Sequence, residues 1–190
     1  MMVLAGGKLL QLPLQLVFHE PIMSTTTLLH SLLKYKAWSN EQLFAELAKM
    51  DPVAQQEARH NAMRILNHIY VVDQIFAAHL SGAAHSFTAT NTTETPTLEA
   101  LRDGVAMLDA WYVDYSTDLS PSLLAESIAF TFTDGDKGLM SREEILTHVS
   151  LHGAYHRGGA GRIMAQAGTP PPRDLYTRFL HQSEPLRRAA

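Results

Sequence analysis

The sequence predicts an all-α protein: a four-helix bundle with long crossover connections, a short β-hairpin before the last bundle helix, and a short C-terminal helix. Three observations carry this. Four long segments repeat apolar residues at the three-to-four spacing of an amphipathic helix. The stretches between them are rich in Thr, Pro, Gly or Asp and have no such period. One stretch alternates instead, with Ile128, Phe130 and Phe132 separated by small residues and followed by Asp134-Gly135.

Each element has its own signal. The first helix is expected from Thr26 to Lys49, with Leu28, Leu29, Leu32, Leu33, Leu43, Phe44 and Leu47 apolar and Asp51-Pro52 ending it. The second runs from Ala54 to Leu80 and stops at Ser81-Gly82. "AAHSFTATNTTETP" then reads as a loop. The third opens at Thr95-Pro96, a cap with Pro in the first turn, and its stripe is Leu98, Leu101, Val105, Leu108, Tyr112 and Leu119. The hairpin turns at Asp134-Gly135. The fourth helix opens at "SREE", a capping box of Ser141 and Glu144, and ends near Gly168. A short last helix is expected over Asp174–Leu180. Connections of more than about ten residues on both sides of the third helix are too long for simple hairpins, hence the crossovers.

Residues 1–22 read as an extension outside the core, and residues 23–190 as the bundle. A signal-peptide reading of Leu9–Phe18 is spoiled by Pro13, two Gln and the lack of a small-residue cleavage site. The run is also too short to span a bilayer. The net charge of −4 argues against nucleic acid as a partner, which needs clustered Lys and Arg. The sequence contains no cysteine, which excludes disulfides, thiolate catalysis and Cys-based metal sites. That fits a reducing, cytoplasmic setting.

Chemistry is concentrated in "LTHVSLHGAYHRGG", with His148, His152 and His156 at steps of four. Residues four apart on a helix are offset by only about 40°. With His152 at zero, Ile145 and Ile163 fall near about +20°, His156 near +40°, Val149 and Ala167 near +60°, and His148 near −40°. His148 and His156 are also separated by about 12 Å of rise, too far for one ion. A chelating pair is therefore either His148/His152 or His152/His156, and the stripe favours the second. On the second helix His68 sits mid-stripe, with Val72 near about +40° and Ile75 near −20°. His79 also faces inward, three turns further on, and His60 points to solvent or the stripe's edge. Three inward neutral imidazoles match the three-ligand pattern of catalytic zinc, with a fourth position open. A buried, hydrogen-bonded core histidine is the competing reading of each one.

These residues resemble a known family. "HVSLHGAYHRGGAGRIMAQAG" is similar to the last bundle helix of the DinB/YfiT-like superfamily, damage-inducible-type proteins of bacteria unrelated to the DNA polymerase that shares the DinB name. Tyr35, Trp38 and Asn40 resemble its Tyr-x-x-Trp-x-Asn segment, and "AMRILNHIYVVDQIFAAHL" its second helix with a single metal histidine. "FTFTDGDKGLMSREEILTHV" resembles its hairpin and "RDLYTRFL" its C-terminal helix. The resemblance implies a homodimeric four-helix bundle with one divalent ion, Zn²⁺ or Ni²⁺, held by His68, His152 and His156. His148 occupies a position that is often His without being the usual ligand. Members commonly read His-Arg-Gly-Gln where this chain has Gly159, a polar group missing from the stripe.

The implied function is a metal-dependent enzyme acting on a small molecule: an S-transferase using a low-molecular-weight thiol, or a hydrolase. Water or thiol at the open position would be the reactive group. The alternative is a non-catalytic metal-binding bundle of a stress response. Arg157 is a candidate to bind an anionic substrate, with an ion-paired role as its alternative. Tyr155 is a candidate to flank the cavity, with packing as its alternative. Trp38 reads as a core or interface aromatic. Asp73, near about +140° from His68, is placed away from that ligand.

Overall fold

The computed structural model describes residues 24–188. The reading of residues 1–22 as an extension falls outside them. The element order is α1 (Thr25–Leu47), α2 (Gln56–Ser81), α3 (Leu98–Tyr115), α4 (Pro121–Leu124), β1 (Ser127–Thr131), β2 (Lys137–Ser141), α5 (Arg142–Gln166) and α6 (Tyr176–Ser183). A 3₁₀ turn over Pro185–Arg188 follows.

The helix ends follow side-chain chemistry. Ser24 accepts a hydrogen bond from Thr27 N and caps α1. Gly82, at φ 67°, takes the left-handed conformation that closes α2. Both halves of the expected capping box are present at Ser141 and Glu144. At α3 the expectation is corrected: Thr97 is the cap, bonding Ala100 N, so Pro96 lies before the cap rather than in the first turn. Leu119 is buried but lies beyond the end of α3. The short α4 was not anticipated, although Ser120-Pro121 is itself a cap with Pro in the first turn. Helix α6 starts at Tyr176 rather than at Asp174. Asp174 spends its carboxylate on other elements, described below.

Helices α1 and α2 each pack against both α3 and α5. Consecutive helices α1 and α2 therefore lie diagonally across the bundle, as do α3 and α5, whereas α2 and α3 are neighbours; the crossing connections are 48–55 and 116–141, and the long one before α3, expected to cross, does not. The two strands pair antiparallel from Ser127–Ser141 to Thr131–Lys137. Gly135, at φ 98°, provides the turn that an L side chain would strain. Phe130 crosses Gly138, where an added Cβ would come within 2.5 Å of the ring. The hairpin packs on α2 and α5.

The core is two apolar clusters with a polar layer between them. One contains Leu43, Phe44, Leu47, Leu66, Leu101 and Met164. The other contains Leu33, Phe76, Tyr112, Phe130, Ile145 and Val149. On α1, Lys36 and Asn40 fall between the two sets, and on α3 Asp109 does. Lys36 is 1% exposed and pairs with Asp73 of α2 at 2.7 Å and Asp109 at 2.5 Å. Burial disfavours the charged form of Lys36, but Asp109 and Asp73 together outweigh it and hold its pKa above the usual value. Burial pushes the Asp73 carboxyl up to about 6, against the pull of Lys36. Asn40 Nδ2 donates to Asp109 at 2.7 Å, and Tyr112 Oη donates to the Asp73 carbonyl at 2.6 Å.

Candidate metal centre

The three histidines singled out by helical phase come together at the level of this polar layer. The ring nitrogens offered by His68 of α2 and by His152 and His156 of α5 all lie within 4.8 Å of one another. Nε2 of His68 is 3.1 Å from Nε2 of His152. Two nitrogens bound tetrahedrally to one zinc stand about 3.3 Å apart, so this spacing matches a shared ion. The rings of His68 and His156 are 4.7 Å apart at their centroids, and those of His152 and His156 4.5 Å.

The surroundings orient the His68 ring and favour neutral rings on α5. His68 Nδ1 lies 2.8 Å from the carbonyl oxygen of Thr90. A carbonyl only accepts, so Nδ1 carries a proton, and Nε2 is the nitrogen turned toward His152. Thr90 belongs to the Thr-rich loop, which sequence reasoning left without a role. That loop is pinned to α2: Asn67 Nδ2 donates to Asn91 and to Thr92 Oγ1, and Arg64 Nη1 donates to the Thr92 carbonyl at 2.7 Å. On α5, burial pulls His152 down to about 3, helped by His156, His68, His148 and Lys36. Burial, then His68, lowers His156. The buried Nδ1 of His152 has no hydrogen-bond partner among the described residues. Three imidazoles, one fixed by a backbone acceptor and one with an orphaned nitrogen, can hold a divalent ion.

Other candidates fall in different places. His148 is outside the group; its ring lies 5.2 Å from His152 and 5.0 Å from Phe76. His60 is exposed. Asp73 faces Lys36 rather than His68. Arg157 takes the ion-paired alternative: it is 3% exposed, and its Nε donates to Asp174 at 2.8 Å. Arg157 and hydrogen bonds from Tyr35 and Ser39 hold the Asp174 carboxyl below the usual range, against its burial. The segment "LLKYKAWSNEQL" thus supplies the hub of the polar layer through Lys36 and Asn40, and the anchor of the C-terminal segment through Tyr35 and Ser39. Trp38 stacks near Tyr35 and Phe179. Tyr155 is 79% exposed, its ring edge-on to His156 at 5.0 Å, so it does not pack in the core.

The helical phase needs one correction. The buried face of α5 is Ile145, Leu146, Val149, Ser150, Gly153, Arg157, Ala160, Gly161 and Met164. It centres about 100° round from His152 by the ideal helical step. His152 and His156 stand on its flank toward α2, half-buried, rather than at its middle. Apolar periodicity missed this because Ser150, Gly153, Arg157 and Gly161 are buried without being apolar. Gly159, expected inside the stripe, is exposed, and a Cβ there would meet only Ile65 at 3.8 Å.

A mostly helical bundle with a tri-histidine group on its second and last long helices defines a class of candidate metal-binding proteins. The sequence model of the DinB family matches residues 23–187, so the chain belongs to that family. It is also similar to Protein DinB of Bacillus subtilis (strain 168), 26% identical over 152 residues, or 72% of this chain and 84% of that protein.

Proposed function

We propose that the chain is a metal-dependent enzyme in which His68, His152 and His156 hold one divalent ion, Zn²⁺ or Ni²⁺. The observation that carries this is the convergence of three ring nitrogens within 4.8 Å, set on two helices packed against each other. A bound ion supplies Lewis acidity toward a ligand atom in its open position. The protein's part is to keep the rings neutral and oriented: the Thr90 carbonyl turns His68, and burial keeps His152 unprotonated. The reaction classes that suit such a site are transfer to a low-molecular-weight thiol and hydrolysis. A cytoplasmic homodimer belongs to the same reading, and light scattering on purified protein tests the dimer.

The second reading, a non-catalytic metal-binding bundle, is favoured by one feature. Among the described residues, the cavity beside the triad is lined by no carboxylate that would act as a general base. Turnover assays of the metal-loaded protein with thiols and simple esters decide between the two.

Ligand identity is tested by metal content after removal and reloading. His68→Ala and His152→Ala are expected to abolish stoichiometric Zn²⁺ or Ni²⁺ uptake, and His148→Ala to retain it. Equal loss in His148→Ala would overturn the assignment, and no uptake by the unaltered protein would overturn both readings.

A further inference from the structure

A cavity of about 330 Å³ opens beside the triad, between α2, α5 and the hairpin. His68 and His152 belong both to its wall and to the tri-histidine group, whereas His156 belongs to the group alone. Most of the remaining wall is apolar: Val72, Ile75, Phe76, Phe130, Phe132 and Met140. Its other polar groups are neutral threonines, including Thr131 and Thr133, and the histidines His79 and His148. Among the described residues, no Asp, Glu, Lys or Arg lines it.

Two further facts narrow what fits. The Nε2 atom of His79 is buried and has no hydrogen-bond partner among the described residues. The His79 ring is held flat against Phe130, centroids 5.0 Å apart, so its orientation is fixed by packing. The volume lies at the low end of the roughly 300–1,000 Å³ range of small-molecule pockets. In the metal-free chain, an ionised carboxylate or phosphate entering such a wall would lose hydration and meet no Lys or Arg side chain, a large penalty.

We propose that this cavity binds the uncharged, apolar part of a ligand, an aromatic ring or short alkyl chain with at most one neutral polar group, beside His68 and His152. The polar group would meet the threonines of the wall, Thr131 and Thr133 among them. The inference rests on the metal reading only for the anchoring of a donor atom; the selection against charge is a property of the cavity alone. In a thiol-dependent reaction, the apolar wall would take the neutral co-substrate and leave the thiol sulfur to the metal position.

The test compares two probes that share a ring and differ in charge, 4-fluorotoluene and 4-fluorobenzoate, by fluorine NMR titration of the full chain without metal. The neutral probe is expected to bind at least about ten-fold more tightly than the anion, in line with the cost of burying an unpaired charge. Met140→Trp, which fills the cavity, is expected to weaken 4-fluorotoluene binding by a similar factor while Zn²⁺ stoichiometry is unchanged. Thr131→Trp, at an exposed strand position on the same wall, serves where Met140→Trp does not fold. Equal or tighter binding of 4-fluorobenzoate, or wild-type affinity for 4-fluorotoluene in a folded Trp variant, overturns the proposal. Charge-selective binding by a protein that takes up no Zn²⁺ supports the cavity while sinking the metal reading.

Discussion

At the scale of the residue, the histidines set the pH behaviour. An unfolded histidine titrates near about 6.5, whereas burial holds His152 down to about 3 and also lowers His148 and His156. The unfolded chain therefore binds protons that the folded chain refuses. Stability from these groups is fully present above about pH 6.5 and is lost as pH falls toward the folded values. Asp73, raised to about 6, acts in the opposite direction: its ionisation costs stability as pH rises between about 4 and 6. Comparing variants separates the two. The metal-free protein is expected to have a lower urea midpoint at pH 5 than at pH 7.5, and His152→Asn to show a smaller drop. An equal drop in both would show that His152 is not the group responsible. The candidate ligands were legible at this scale because i, i+4 spacing is a local property. Thr90 was not, because it acts through its backbone carbonyl and any residue type supplies that atom.

At the scale of the element, α5 carries four glycines whose surroundings differ. A Cβ at Gly153 would come 3.1 Å from Arg157 Nη1 and 3.3 Å from Lys36 Cε, so this glycine makes room for the two buried cations. A Cβ at Gly158 would meet nothing within 4 Å. Gly158→Ala is thus expected to stabilise the protein by about 0.5–1 kcal/mol, the helix-interior cost of glycine. Gly153→Ala is expected to destabilise it, by displacing Lys36 or Arg157. Thermal unfolding of the two variants checks this, and a stabilising Gly153→Ala would show that Lys36 gives way freely. The cap of α5 and the end of α2 were readable because each is a contact within a few residues. The start of α6 was misread because Asp174, a good cap by type, is drawn away to Arg157, Tyr35 and Ser39.

At the scale of the whole molecule, the polar layer joins all four long helices: Lys36 and Asn40 on α1, Asp73 on α2, Asp109 on α3 and Arg157 on α5. Removing the central cation leaves two buried carboxylates uncompensated, which typically costs about 3–5 kcal/mol. Lys36→Ala is expected to lower the free energy of unfolding by about that amount in urea titration. Adding Asp73→Asn and Asp109→Asn to the Lys36 variant is expected to restore much of the loss. A cost below about 1 kcal/mol for Lys36→Ala would show that water already serves these carboxylates. The sequence by itself determined the four long helices, the hairpin, the capping box and the histidines worth testing, since each follows from periodicity or from contacts a few residues long. Only the tertiary structure decided which face of α5 is buried, that Lys36 lies at the centre, that Arg157 answers to Asp174, and that an uncharged cavity adjoins the triad. Those outcomes pair residues far apart in sequence, and buried charges and glycines follow no apolar period. Their place is set by the partner that neutralises them or the side chain that needs their space.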